Sequence, residues 1–231
     1  MTEPDTEPDN FPERIARVRS RIDAACARAE RDPASVQLVA VSKRHAAERV
    51  HEAIAAGLQV FGENRVQEAA EKIPNCPPAE WHLIGHLQSN KARAAAGLFD
   101  TIHSVDSLRL LKTLDAEAAR AERRFGVYLQ VNVSGEEAKF GMAIADLDAC
   151  LERKLEHLDL LGLMTMPPFD PDPEPARPHF RALRELRNAA EQRHGISLPG
   201  LSMGMSLDFE VAIEEGATSI RVGSDLFGAR P

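Results

Sequence analysis

The sequence predicts a single-domain (β/α)8 barrel entered through one leading helix. Two observations predict it. Short apolar segments alternate in strict order with helix-period segments between residues 37 and 222, eight of the former in all. That order is the mark of a parallel sheet covered by helices. Many of the short segments are apolar throughout rather than at every second position, as expected of strands buried on both faces. Eight units in one chain favour closure into a barrel. An open doubly wound sheet is the alternative. No glycine-rich fingerprint after the first strand supports it, because Ser42-Lys-Arg-His45 stands there instead.

The elements follow in order. Residues 1–10 are acidic and proline-rich and are expected to form a disordered tail, leaving residues 11–231 as the barrel domain. Ile15, Val18, Ile22, Cys26 and Ala29 recur at three- and four-residue spacing, which predicts the leading helix. Strands are predicted over residues 37–41, 59–61, 81–84, 101–103, 127–133, 158–164, 198–203 and 219–222. Helices are predicted over residues 46–56, 65–73, 89–96, 107–124, 144–154 and 208–215. The seventh intervening helix runs through Phe180, Leu183, Leu186 and Ala190, after a proline-rich loop over residues 167–178. Gly57 is a C-cap, because only glycine takes a left-handed backbone there without strain.

Charge and composition narrow the class. Among 231 residues, 28 are Lys or Arg and 36 are Asp or Glu, a net charge of −8. An acidic chain disfavours non-specific binding to nucleic acid or to an anionic membrane. No apolar run approaches the roughly 18 residues that a membrane span needs. The acidic N-terminal stretch is the opposite of a signal peptide's basic and apolar start. A cytoplasmic protein is expected. Cys26, Cys76 and Cys150 are odd in number and widely spaced, with no metal-binding pattern, so they are expected to be ordinary thiols. The acidic pairs Glu136-Glu137 and Glu214-Glu215 are expected on solvated faces.

In a barrel the chemistry gathers at the C-terminal ends of the strands. Lys43 stands at the end of the first. The chain has only six lysines against 22 arginines, and lysine alone of the two can shed its proton and act as a nucleophile. Desolvation against Val39 and Val41 would lower its pKa and ready the amine for an imine with an aldehyde. Pairing with a carboxylate or a phosphate is the simpler alternative. Gly204-Met-Ser206 and Gly223-Ser224 follow strands seven and eight, where barrels commonly build a phosphate site from backbone N–H groups and a short extra helix. The turn Ser224-Asp-Leu-Phe-Gly228 fits that helix, and both serines could equally be N-caps. Arg221 shares a strand face with Gly223 by alternation. A buried arginine needs an acceptor, either a pyridine nitrogen or a neighbouring carboxylate. An amine, a phosphate cradle and a ring-facing cation together suggest pyridoxal phosphate; a Schiff-base aldolase for a phosphorylated sugar is the alternative. The GxxxxGK, HExxH and GxSxG motifs are absent.

Several longer motifs carry a resemblance. Leu38-Val-Ala-Val-Ser-Lys43, Phe61-Gly-Glu-Asn64, Trp81-His-Leu-Ile-Gly85, Leu87-Gln-Ser-Asn-Lys91, Leu201-Ser-Met-Gly-Met-Ser206 and Ile220-Arg-Val-Gly-Ser-Asp-Leu-Phe-Gly228 resemble the pyridoxal phosphate homeostasis protein family. The resemblance runs in order from about Ile15 to Arg230. It implies the barrel of the alanine racemase N-terminal domain without that enzyme's second domain. It implies pyridoxal 5'-phosphate as cofactor, held as a Schiff base on Lys43. Ser206, Gly223 and Ser224 would take the phosphate, Arg221 the ring nitrogen, and Asn64 a place near the ring hydroxyl. It further implies a monomeric carrier that buffers the cofactor and delivers it to apo-enzymes, with no catalytic turnover. A racemase-like enzyme is the alternative. Where many members have a second lysine, this chain has His45, and after the phosphate serine it has Leu207. Lys139, in a family-like segment, receives no role. An arginine at the ring nitrogen keeps that nitrogen unprotonated, which makes the ring a poorer electron sink. The only tyrosine, Tyr128, falls in strand five and does not replace the second-domain tyrosine of alanine racemase.

Overall fold

The computed structural model describes residues 10–136 and 140–228. Eight parallel strands close into a barrel in sequence order. They are β1 (Gln37–Val41), β2 (Val60–Glu63), β3 (Glu80–Leu83), β4 (Thr101–Val105), β5 (Phe125–Gln130), β6 (Leu158–Met164), β7 (Gly200–Met205) and β8 (Ser219–Val222). The outer ring holds α1 (Phe11–Arg28), α2 (Ala47–Ala55), α3 (Val66–Lys72), α4 (Ala92–Leu98), α5 (Leu108–Arg120), α6 (Leu147–Leu151), α7 (Arg177–His194) and α8 (Phe209–Glu214). A last single turn, α9 (Ser224–Phe227), follows β8. The predicted barrel and its leading helix are therefore present. Of the expected tail, residues 1–9 lie outside the described residues. Asn10 caps α1, its side-chain oxygen accepting from the Glu13 N–H at 3.1 Å.

The strands that differ from expectation do so for local reasons. Gly62 and Glu63 belong to β2, paired with His82 and Leu83 of β3. Strand β5 ends at Gln130, because the next residues turn onto their own loop: Asn132 donates to the Met142 carbonyl at 3.0 Å. Strand β7 starts at Gly200, since Pro199 has no N–H to give a ladder. Gly204 forms a bulge near its end: three steps on β7, from Ser202 to Met205, match two on β8, from Ser219 to Arg221. Its φ of +94° and the 2.6 Å that a Cβ would leave to the Ala212 Cβ admit only glycine.

The apolar seams between barrel and helices are continuous, with Phe61, Phe99, Phe180 and Phe209 fully buried. The barrel interior is different. His82, His103, Ser202, Ser219 and Arg221 are all buried on the strands, where barrel interiors are ordinarily filled by branched aliphatic side chains.

The expectation for Glu214-Glu215 is corrected. The Glu215 side chain is only 5% exposed and pairs with Arg177, Arg181 and Arg184 at 3.4, 2.9 and 3.1 Å. These arginines recur at helical spacing on α7 and draw the carboxylate inward. Glu137 and Lys139 lie outside the described residues. Cys26 and Cys150 are buried and Cys76 half-buried, all as free thiols. Burial pushes each thiol pKa up. Among the described residues, no helix is long and apolar enough to cross a membrane and no group of His, Cys, Asp or Glu is placed to hold a metal.

Candidate functional site

The mouth of the barrel carries a cavity of about 450 Å³ between the ends of β1, β7 and β8, a size suited to a small ligand. Lys43, Ser206, Arg221, Gly223 and Ser224 all line it. Five residues from three places in the chain thus converge on one cavity. Asn64 does not line this cavity. It borders a neighbouring hollow with His86, Gln88 and Lys91, and its backbone lies so close to Gly85 that a Cβ there would fall 2.3 Å from the Asn64 carbonyl oxygen.

Each member is fixed by its surroundings. Lys43 is half-buried and follows Ser42, whose hydroxyl donates to Glu63 Oε1 at 2.7 Å. His45, two residues on, stacks on Phe227 at 5.0 Å between ring centroids. Beyond the Gly204 bulge the chain turns at Met205, whose N–H donates to Asp208 Oδ1 at 2.6 Å. That carboxyl is pushed above the usual range by burial, against the bond from Met205 and the nearby charge of Arg221.

The two turns at the ends of β7 and β8 are tied together. The Gly223 N–H donates to Ser206 Oγ at 3.3 Å. Neither serine is an N-cap: Asp208 holds that place for α8 and Gly223 for α9. The hydroxyls are therefore not committed to capping. The N–H groups of Ser224 and Asp225 open α9, where no intrahelical carbonyl reaches them.

The leading helix has a part that the sequence alone did not suggest. Arg21 of α1 donates to Glu210 at 2.7 Å, to Asp225 at 2.6 Å and to the Ser206 carbonyl at 3.3 Å. One guanidinium thus braces both turns from behind. Phe11 adds an edge contact to Phe227, with centroids 5.3 Å apart.

Arg221 is 3% exposed. It donates from Nη1 to Ser202 Oγ at 2.6 Å and from Nη2 to the Thr165 carbonyl at 3.2 Å. Both partners are neutral, and among the described residues no carboxylate lies within ion-pair distance. Burial lowers its pKa to about 10, with Asp208 and Tyr128 pulling the other way. The partner expected of a buried arginine is thus a neutral hydroxyl and a carbonyl on its inner side, while the cavity lies on the other. Sequence reading also missed His82, His103 and Ser202, which stand behind Arg221. Their signal was available: polar side chains inside strands whose neighbours are apolar.

The fold and the site define a class, the barrel of the alanine racemase N-terminal domain. Residues 14–231 match the family model described as "Alanine racemase, N-terminal domain". Within that class the chain belongs to the pyridoxal phosphate homeostasis protein family. It is 44% identical over 225 residues to the pyridoxal phosphate homeostasis protein of Aquifex aeolicus, covering 96% of this chain and 99% of that one. It is 47% identical over 224 residues to the protein of the same name from Pseudomonas aeruginosa, covering 94% and 95%. The structure of PipY from Synechococcus elongatus PCC7942, solved with PLP bound, superposes with a TM-score of 0.84 at 42% identity, covering 95% of this chain and all of that one.

Proposed function

We propose that this protein binds pyridoxal 5'-phosphate through a Schiff base on Lys43 and acts as a reversible cytoplasmic store that buffers the cofactor and passes it, as a monomer, to apo-enzymes. The carrying observation is the convergence of Lys43, Arg221 and the Ser206/Gly223/Ser224 turns on one cavity. The donor set fits the group. One primary amine meets an aldehyde, two hydroxyls and the open N–H groups of α9 meet a phosphate, and a guanidinium meets a ring nitrogen.

The residues divide the work. Lys43 Nζ, as the neutral amine, adds to the aldehyde carbon. It gives up two hydrogens as the aldehyde oxygen leaves as water, and a C=N bond replaces C=O. Water reverses the same step, which makes the link releasable. Ser206 and Ser224 donate to phosphate oxygens, braced by Arg21 through the Ser206 carbonyl and Asp225. Asn64, which borders the neighbouring hollow rather than this cavity, is assigned the ring hydroxyl on the family resemblance alone. When bound, the cofactor supplies an electron-accepting ring. Arg221 weakens that capacity, because a cation donating to the ring nitrogen opposes its protonation. With no second-domain tyrosine to act as the further acid or base, this favours storage over turnover.

The test is spectroscopic. Purified protein mixed with pyridoxal phosphate is expected to gain a visible imine band. Borohydride is expected to fix the adduct, mapped by mass to Lys43. Lys43→Ala is expected to lose the band and keep the far-ultraviolet circular dichroism, since a half-buried lysine at a barrel mouth contributes little to stability. An adduct on another lysine would sink the assignment. Sustained interconversion of a single amino-acid enantiomer, abolished by Lys43→Ala, would make the protein an enzyme.

A further inference from the structure

Behind Arg221 a line of polar side chains crosses the barrel interior. Arg221 Nη1 lies 2.6 Å from Ser202 Oγ, and Ser202 Oγ lies 2.7 Å from His103 Nδ1. His103 Nε2 lies 2.9 Å from His82 Nδ1, and His82 Nε2 lies 2.7 Å from Glu80 Oε1. Ser202, His103 and His82 are at most 1% exposed. Glu80 opens β3 at the opposite end of the barrel from the cavity, with 44% of its side chain exposed. The line therefore joins the ligand mouth to the far face through β8, β7, β4 and β3.

The two ends fix the direction of every link. A guanidinium has only donors and an ionised carboxylate only acceptors. Ser202 accepts from Arg221, so its own hydrogen is turned to His103 Nδ1. A neutral His103 then carries its hydrogen on Nε2 and donates to His82 Nδ1. His82 in turn carries its hydrogen on Nε2 and donates to Glu80. Burial holds the His103 pKa well below the ordinary value, reinforced by the charge of Arg221 and by any positive charge that His82 takes up. The His82 hydrogen bond holds the Glu80 carboxyl down, against partial burial. With both imidazoles neutral, each takes the Nε2–H tautomer and all four hydrogens point the same way. Aligned donors polarise one another. Tyr128 packs on His103 with ring centroids 4.6 Å apart and closes the interior side.

We propose that Glu80, His82, His103 and Ser202 are positioning residues for Arg221: a one-way run of hydrogen bonds anchored on the Glu80 carboxylate holds the guanidinium as a cation aimed at the ring-nitrogen side of the cavity. The inference rests on the cofactor reading above and extends it to residues that never touch the ligand. It accounts for a buried arginine with only neutral direct partners. Asp208 supplies one nearby negative charge beyond ion-pair distance, and Glu80 supplies a second, four hydrogen bonds away.

Two measurements test it. In the protein without added cofactor, 15N-resolved imidazole spectra are expected to show His82 and His103 both as the Nε2–H tautomer. In Glu80→Ala, which removes a side chain that is 44% exposed, the far-ultraviolet circular dichroism is expected to stay that of the parent, the His82 signals to shift and the His103 signals to follow. With pyridoxal phosphate added, the imine band of Glu80→Ala is expected to move in wavelength relative to the parent. Glu80→Asp is expected to restore it in part. Asp159→Ala, which removes an equally exposed carboxylate paired with Arg124, is expected to leave both readouts unmoved. A parent protein with His103 protonated on Nδ1, or an unshifted band in Glu80→Ala, overturns the proposal. Failure of the parent to bind pyridoxal phosphate at all overturns the cofactor reading itself, and the imidazole spectra tell that failure from a wrongly drawn relay.

Discussion

Lys72 Nζ lies 2.7 Å from Glu63 Oε1, with 6% and 0% of the two side chains exposed. The same ammonium donates to the Ser42 carbonyl at 2.9 Å and to Glu68 at 2.9 Å. The Ser42 hydroxyl completes the knot on Glu63. Burial pushes the Glu63 carboxyl above the ordinary range, against the hydrogen bonds from Lys72 and Ser42. The residue before the candidate nucleophile is therefore held through both its carbonyl and its side chain, and Lys43 inherits a fixed origin.

Breaking that knot from one side should be costly. Lys72→Met leaves a buried carboxyl without its cation, and such losses run to about 3–5 kcal/mol. Urea unfolding is expected to show a loss of this size. The double variant Glu63→Gln/Lys72→Met removes both charges and is expected to lose less than Lys72→Met alone. A double variant at least as unstable as the single would mean that packing, not charge, sets the effect.

Phosphate binding is expected to depend on both serines. A hydrogen bond to a charged group is worth roughly 1.5–3 kcal/mol. Ser206→Ala and Ser224→Ala should therefore each weaken pyridoxal phosphate binding by about ten- to a hundredfold, measured by titrating the imine band. Pyridoxal, which lacks the phosphate, should bind the parent and the variants alike. Unchanged phosphate affinity in the double variant would remove these serines from the site.

The turn that presents Ser206 depends on Gly204. At φ +94°, a Cβ would lie 2.6 Å from the Ala212 Cβ and 2.9 Å from the Phe209 Cα. A left-handed non-glycine residue alone costs of order 1–3 kcal/mol, and here backbone and side chain also have to move. Gly204→Ala is expected to lower the urea midpoint and to weaken pyridoxal phosphate more than pyridoxal, because α8 and Ser206 shift together. Gly97→Ala, where a Cβ meets nothing within 4 Å, is the matched control and should be neutral or slightly stabilising.

These residues also mark what can be read from a sequence. Strands β1, β6 and β8 are legible to the residue because apolar runs end at polar or glycine positions. That Lys43, Ser206, Arg221, Gly223 and Ser224 line one cavity is legible because a barrel gathers its strand ends at one mouth. The end of β2 is not. Gly62-Glu63 has the composition of a turn, and only Lys72 turning back onto it makes Glu63 a buried strand residue. Contacts between distant positions are equally hidden. Ser202 meets His103 across 99 residues and Arg21 meets Ser206 across 185, and no periodicity records such a pairing. Glu215 reads as solvated beside Glu214 until the three arginines of α7 are placed over it.

That last cluster sets an acid limit on the fold. Burial raises the Glu215 carboxyl, but Arg181, Arg184 and Arg177 together outweigh it and hold the pKa below the ordinary value. A carboxyl depressed in the native state binds fewer protons than in the unfolded chain. Its stabilisation is therefore complete above the unfolded value of about 4.3 and is lost as the pH falls through the native value. Glu63 works with the opposite sign. Its native carboxyl is raised, so its contribution to stability grows as the pH falls through the native value towards about 4.3. The two separate in variants. Glu215→Gln is expected to be less stable than the parent at neutral pH, with urea-midpoint curves that converge below about pH 4. Glu63→Gln is expected to flatten the parent's dependence above that range. Parallel curves for Glu215→Gln and the parent would show that the arginine cluster holds no depressed carboxyl.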